Sequence, residues 1–162
     1  MFHVSASVCI DTPTGRVWAH LAPLENIEQW SEAVLAARCD GVVTRGVGAE
    51  RTCDLAGGIT ITERWLEWDE GQSFVYEGAG IPLIARARNQ WSVSAIGRQT
   101  LLTSEASVLV KGGPLGRLLD PLLAWQSRRM GARALAAFKY LVENGHPPAM
   151  PHSKLPKPSP AC

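Results

Sequence analysis

The chain has 162 residues, 46% of them hydrophobic and 19% charged, with a formal net charge of +1. That length and composition suit one globular domain with a sizeable core. The near-neutral balance and scattered cations argue against a nucleic-acid partner, and no apolar run reaches the ~18 residues of an integral membrane segment.

Phe2, Val4, Ala6, Val8 and Ile10 alternate with His3, Ser5, Ser7 and Cys9, which predicts a half-buried first strand. No charged start and apolar centre of a secretory leader precedes it. Asp11-Thr12-Pro13 reads as a helix start, a capping side chain followed by proline in the first turn. Val17, Trp18 and Leu21 give that helix its apolar face. Pro23 breaks it, and Leu24, Ile27 and Trp30 predict a second short helix. Six strands are expected next, over 34–43, 48–55, 59–68, 73–77, 85–96 and 100–111. Gly57-Gly58, Asp69-Glu70-Gly71 and a three-residue hairpin Gly97-Arg98-Gln99 supply turns between them. The stretch 113–145 predicts one long amphipathic helix, started or kinked at Pro121. The proline-rich residues 146–162 predict a disordered tail outside a domain of residues 1–145. Strands joined by short turns make an antiparallel meander, and the long helix is the only large element available to cover it. The fold class is α+β, with about seven strands wrapped on a long C-terminal helix.

Cys9, Cys39, Cys53 and Cys162 match neither a zinc site nor a compact disulfide framework. The first three, inside strand-like runs, predict buried free thiols, and a reducing, cytoplasmic setting is expected. His3, His20, His146 and His152 are dispersed, so no metal is expected. Gly46-Val47-Gly48 leads into a strand rather than a helix, so no phosphate loop or other cofactor site is expected. The leucine-rich stretch 114–125 reads as the helix edge at a cavity mouth, with membrane contact as the second reading.

Three stretches carry a resemblance: Thr12-Pro13 with Val17-Trp18 and Trp30; Thr62-Glu63-Arg64-Trp65-Leu66-Glu67-Trp68-Asp69; and Gln90-Trp91-Ser92-Val93 with Lys111-Gly112-Gly113-Pro114-Leu115 and Leu141-Val142-Glu143. Over about residues 4–145 the chain resembles the START-like (SRPBCC, Bet v 1-like or helix-grip) superfamily, polyketide cyclase/dehydrase type. The resemblance implies a cavity between sheet and helix for a small hydrophobic partner, with Glu63 pointing in and Glu105 as a second carboxylate. The short Ala56-Gly57-Gly58 turn departs from the longer gate loop of the plant hormone receptors in that superfamily.

Period-two alternation puts Ile59, Ile61, Glu63, Trp65 and Glu67 on one face. With Glu63 inward, the matching inward sets are Arg51, Cys53 and Leu55; Ala87, Asn89, Trp91 and Val93; and Thr103, Glu105 and Ser107. Arg64, Arg86 and Arg88 then face out. The helix is expected to offer Leu119, Leu122, Gln126 and Met130 to the cavity. Trp30, Trp65 and Trp91 either stack on a flat ligand or form core. A carboxylate in an apolar cavity needs a partner or a proton, and Arg51 is the obvious partner. Glu63, Arg51 and Glu105 are therefore the catalytic candidates, with a simple cross-strand ion pair as the alternative. Three functions fit: a binder or carrier of a lipid or polyketide-like molecule, a cyclase/dehydratase-type enzyme, or a protein-partner module.

Overall fold

The structure, a computed structural model, describes residues 1–162. Its seven strands are β1 (Phe2–Ile10), β2 (Val34–Arg38), β3 (Glu50–Leu55), β4 (Ile59–Asp69), β5 (Ser73–Ala79), β6 (Ile84–Ile96) and β7 (Gln99–Val110). They form one antiparallel sheet in the order β1-β7-β6-β5-β4-β3-β2. Between β1 and β2 lie the helix α1 (Thr14–Leu21) and a 3-10 turn, Leu24–Gln29. After β7 come a short helical turn α2 (Gly113–Gly116), a 3-10 turn and the long helix α3 (Asp120–Asn144). Pro121 sits in the first turn of α3, where its missing N–H costs nothing. Gly145 closes the helix with φ 77°, a conformation glycine adopts without strain.

The expected cap of α1 is not made. Thr12 Oγ1 donates to the Asp11 carbonyl, and the Thr12 carbonyl accepts from Thr100 Oγ1 at 2.6 Å. The threonine fastens the strand-to-helix corner to β7 instead. The second strand is shorter than expected: it stops at Arg38, where the guanidinium turns to Asp40 and Asp54.

Two register details decide which side chains face inward. The β6–β7 turn has two residues, Gly97 and Arg98, with Ile96 paired to Gln99. Gly97 takes φ 62°, as the first position of such a turn requires. A three-residue turn would put Glu105 opposite Trp91; the actual turn puts Ser104 there. A one-residue slip inverts a strand's facing. Thr103, Glu105 and Ser107 therefore lie on the convex, solvent side, and Leu102, Ser104, Ala106 and Val108 face in. Likewise, a bulge between Trp65 and Glu67 turns Glu67 outward, where Arg88 binds it at 2.5 Å, and brings Trp68 inward onto Phe74.

The interior has two parts. A cluster of 26 residues lies under the C-terminal half of α3 and includes Leu135, Phe138, Leu141 and Val142. A separate cluster of four, Phe2, Val108, Val110 and Ala124, lies under its N-terminal half.

The tail is ordered against the domain, contrary to the disorder its prolines predict. Leu155 is buried in the main cluster, the Glu32 carboxylate accepts from the His152 N–H, and Ser159 supplies a carbonyl to the Cys9 N–H at 2.8 Å. Cys162 forms a disulfide with Cys9. Only Cys39 and Cys53 are free thiols, so the cysteines no longer point to a reducing compartment. No helix is long and apolar enough to cross a membrane.

Candidate functional site

Arg51 and Glu63 are opposed across β3 and β4. Both are nearly inaccessible, at 4% and 6%. Arg51 Nε donates to Glu63 Oε2 at 2.8 Å and Nη2 to the same oxygen at 2.5 Å. Arg51 Nη1 donates to the Leu24 carbonyl, so the turn before β2 helps hold the guanidinium. The guanidinium also lies 5.0 Å from the Trp65 ring centroid and 5.9 Å from that of Tyr76. Arginine suits this place, because its planar, weakly hydrated cation stacks and donates at once. Glu63 Oε2 further accepts from Cys53 Sγ at 3.6 Å. Its other oxygen receives no protein donor among these bonds.

The ionisable neighbours stay protonated at neutral pH. Burial pushes the Cys53 thiol up to about 12, with Arg51 opposing the shift and Glu63 adding to it. That thiol is no nucleophile. Burial, reinforced by the Glu63 carboxylate, raises Tyr76 well above the usual phenol range, so it can act as a donor. Burial works most strongly against the Arg51 charge, but Glu63, with Tyr76 and Cys53 adding to it, more than offsets that and holds the guanidinium pKa above its ordinary value.

Beside this pair the inner sheet face is made of small groups. The register runs from Glu63 to Gly78 and Ala87, and from Tyr76 to Asn89 and Ala106. Asn89, Ser104 and Ala106 face inward yet are only half-buried. On α3, Ser127 and Gly131 lie between the residues of the two clusters and are half-buried too. These positions between the two clusters are thus only partly covered by neighbouring side chains.

The other expected lining residues divide. Cys53, Ile61, Trp65, Trp91 and Val93 are buried on the inner face, and Leu55 packs at its edge. Trp30 sits between Trp91 and Phe138, with ring centroids 5.4 Å from each, so it is core rather than a free stacking surface. Thr103 and Glu105 do not belong to the site. Thr103 exchanges a hydrogen bond with Ser7 on the outer face, and Glu105 is exposed there beside a depression of about 310 Å³. Leu119, Leu122, Gln126 and Met130 are also excluded: Leu119 is exposed at the end of the 3-10 turn before α3, and the other three are exposed on the far side of α3. The face turned to the sheet is instead Ala124, Leu135, Phe138, Leu141 and Val142, at helical spacing. Tyr76 was missed by sequence reasoning. Strand pairing with Trp65 would have revealed it once the β4–β5 turn was placed.

Comparison with known proteins agrees with this architecture. A protein of Thermus thermophilus superimposes with a TM-score of 0.71 at 18% identity, covering 89% of this chain and 99% of that one. A START superfamily protein from Mycobacterium smegmatis gives 0.67 at 17% identity, covering 82% and 93%. The di-domain ARO/CYC protein BexL of the BE-7585A biosynthetic pathway gives 0.69 at 18% identity, covering 88% of this chain and 47% of that one. At such identities these likenesses show the helix-grip fold alone. No curated protein matches the sequence. The family described as polyketide cyclase / dehydrase and lipid transport matches residues 1–143. With nearly the whole chain matched, from β1 to the last turn of α3, the protein belongs to that family.

Proposed function

We propose that the protein binds a small hydrophobic molecule, lipid or polyketide-like, between the inner sheet face and α3, as a carrier or binder. The observation that carries this reading is the buried Arg51–Glu63 pair beside the half-buried Asn89, Ser104 and Ala106. An apolar wall with a few fixed polar groups is the usual build of a small-molecule site. Membership of the family supports the reading. The polar end of a guest would meet Glu63 and the Tyr76 phenol, and its apolar body would lie over Ala87, Ala106 and the helix.

A second reading is a cyclase/dehydratase-type enzyme. It is favoured by the Glu63 oxygen without a protein donor, close to a phenol kept protonated by burial. A carboxylate that accepts a proton and a phenol that steadies a carbonyl oxygen are the two groups enolisation needs.

Native mass spectrometry of the purified protein should reveal co-purified small molecules. An environment-sensitive apolar dye should bind and be displaced by them. Glu63→Gln should keep the fold and change retention. Absence of both co-purified ligand and dye binding would overturn the binder. Turnover of an aromatic polyketide-like carbonyl compound, lost in Glu63→Gln, would select the second reading.

A further inference from the structure

The entry to the long helix gathers large apolar side chains on the surface. Leu115 and Leu118 are each 77% exposed, Leu122 59% and Trp125 54%. They follow at spacings of three, four and three residues along consecutive helical elements: Leu115 in α2, Leu118 in the 3-10 turn, and Leu122 and Trp125 in the first turns of α3. The opposite face is already used: Leu123 and Ala124 pack on Phe2, Val108 and Val110. The stripe is therefore not a surface that could turn inward without giving up that packing. A groove of about 210 Å³ lined by Met1, Leu109, Pro114 and Arg117 continues it to the end of the sheet. Exposed apolar area of this continuity marks an interaction site.

The charges around it are one-sided. Lys111, Arg117, Arg128 and Arg129 border the stripe, and none takes part in an ion pair. The single carboxylate in this segment, Asp120, is held by the Met1 ammonium at 3.1 Å. Four cations against one carboxylate leave a surplus of three, in a chain whose net charge is +1. The remainder of the chain is thus net negative. Arg129 lies 4.8 Å from the Trp125 ring, which holds the cation beside the apolar stripe.

We propose that this face docks on an anionic lipid bilayer. Leu115, Leu118, Leu122 and Trp125 enter the headgroup–acyl boundary, and the four cations meet lipid phosphates and carboxylates. Long cationic side chains suit this arrangement, since their stems lie along apolar surface while their heads reach the charge. A second copy of the chain is the weaker occupant, because a self-complementary contact would set two groups of unpaired cations against each other. Docking of this face is independent of ligand binding in the interior.

The test is sedimentation of the full chain with vesicles of phosphatidylcholine alone and of equimolar phosphatidylcholine and phosphatidylserine. Binding is expected to the anionic vesicles and to weaken as salt is raised. Trp125 emission should shift to the blue and resist acrylamide; Trp125→Phe should remove most of this signal, since Trp18, Trp30, Trp65 and Trp91 are buried and the half-buried Trp68 packs on Trp18 and Phe74 away from this face. Arg128→Gln with Arg129→Gln should weaken binding by roughly thirtyfold. Leu118→Glu with Leu122→Glu should abolish it. All four positions are exposed, and an unchanged thermal transition confirms that each variant folds. Absence of binding, or equal binding to both vesicles, overturns the proposal. So does a concentration-dependent dimer that the Leu118→Glu/Leu122→Glu variant dissolves, which would identify a second copy as the occupant.

Discussion

The two halves of α3 cover the same sheet and do different work. The C-terminal half places Leu135, Phe138, Leu141 and Val142 in a cluster that also holds Trp30, Trp65 and Trp91. The N-terminal half contributes only Ala124 to a core cluster and exposes Leu122 and Trp125. Apolar content is high in both halves; what differs is where it points. The buried half holds the grip together, and the exposed half is free to meet something else.

The sharpest test is a pair of truncations along the helix. Phe138 is fully buried, so Phe138→Ala should cost about 3–5 kcal/mol of unfolding free energy in a urea titration. Leu122→Ala should stay within about 0.5 kcal/mol, as exposed substitutions do. Comparable costs at both positions would break the distinction between the halves.

The ion pair beside the closed half tests whether polarity there serves stability. Arg51→Met leaves Glu63 without its cation and should destabilise by about 3–5 kcal/mol. Adding Glu63→Leu should recover most of that loss, because two apolar residues can replace a buried pair at little cost. A double variant as stable as the original, yet altered in ligand retention, would mean that the pair is kept for what it binds. A double variant no better than the single one would make the pair structural.

Most of the fold was legible because each element carries its own period. The alternation in β1 and β4 and the i, i+3, i+4 pattern of α3 were enough for element order and fold class. Glu63 and Arg51 were legible as partners because β3 and β4 meet through a short glycine turn that fixes their register. Glu105 was misplaced by a single residue in the count of the β6–β7 turn, though Leu102, Val108 and Val110 already marked the even positions of β7 as the apolar set. The facing of α3 failed differently. Its first half has apolar residues on both sides, and local sequence cannot tell which side the sheet takes. The tail was misread because composition reports the lack of regular structure, whereas Leu155 and Cys162 act through contacts distant in sequence.

That strap sharpens the comparison further, since it adds only to the closed half. The Cys9–Cys162 bond has a sequence separation of 153 residues. Cys162→Ser should lower stability by about 2–4 kcal/mol, the usual range for such a crosslink. The loss should appear as a lower thermal midpoint than the oxidised protein, equal to that of the original under reductant. Deleting residues 146–162 should cost more than Cys162→Ser alone, because Leu155 leaves its place in the core as well. Equal, negligible losses for both would show that the tail does not hold the closed half.

The smallest effect expected is a pH dependence of the same strap. His152 lies 3.9 Å from Glu32, and its Nδ1 is buried without a hydrogen-bond partner. Burial lowers its pKa below the ordinary value and Arg133 adds to this, while Glu32 opposes them. The folded chain therefore keeps the imidazole neutral at a pH where the unfolded chain has begun to protonate it. A depressed histidine pKa gives a contribution that is complete above the unfolded value, about 6.5, and declines as pH falls below it. The stability difference between the full chain and one ending at Gly145 should thus shrink on acidification from neutrality through about pH 6. His152→Gln should flatten that slope while leaving the difference at neutral pH nearly intact. A difference that grows on acidification would mean that Glu32 outweighs burial and holds the charged imidazole. The strap would then tighten in acid instead of loosening.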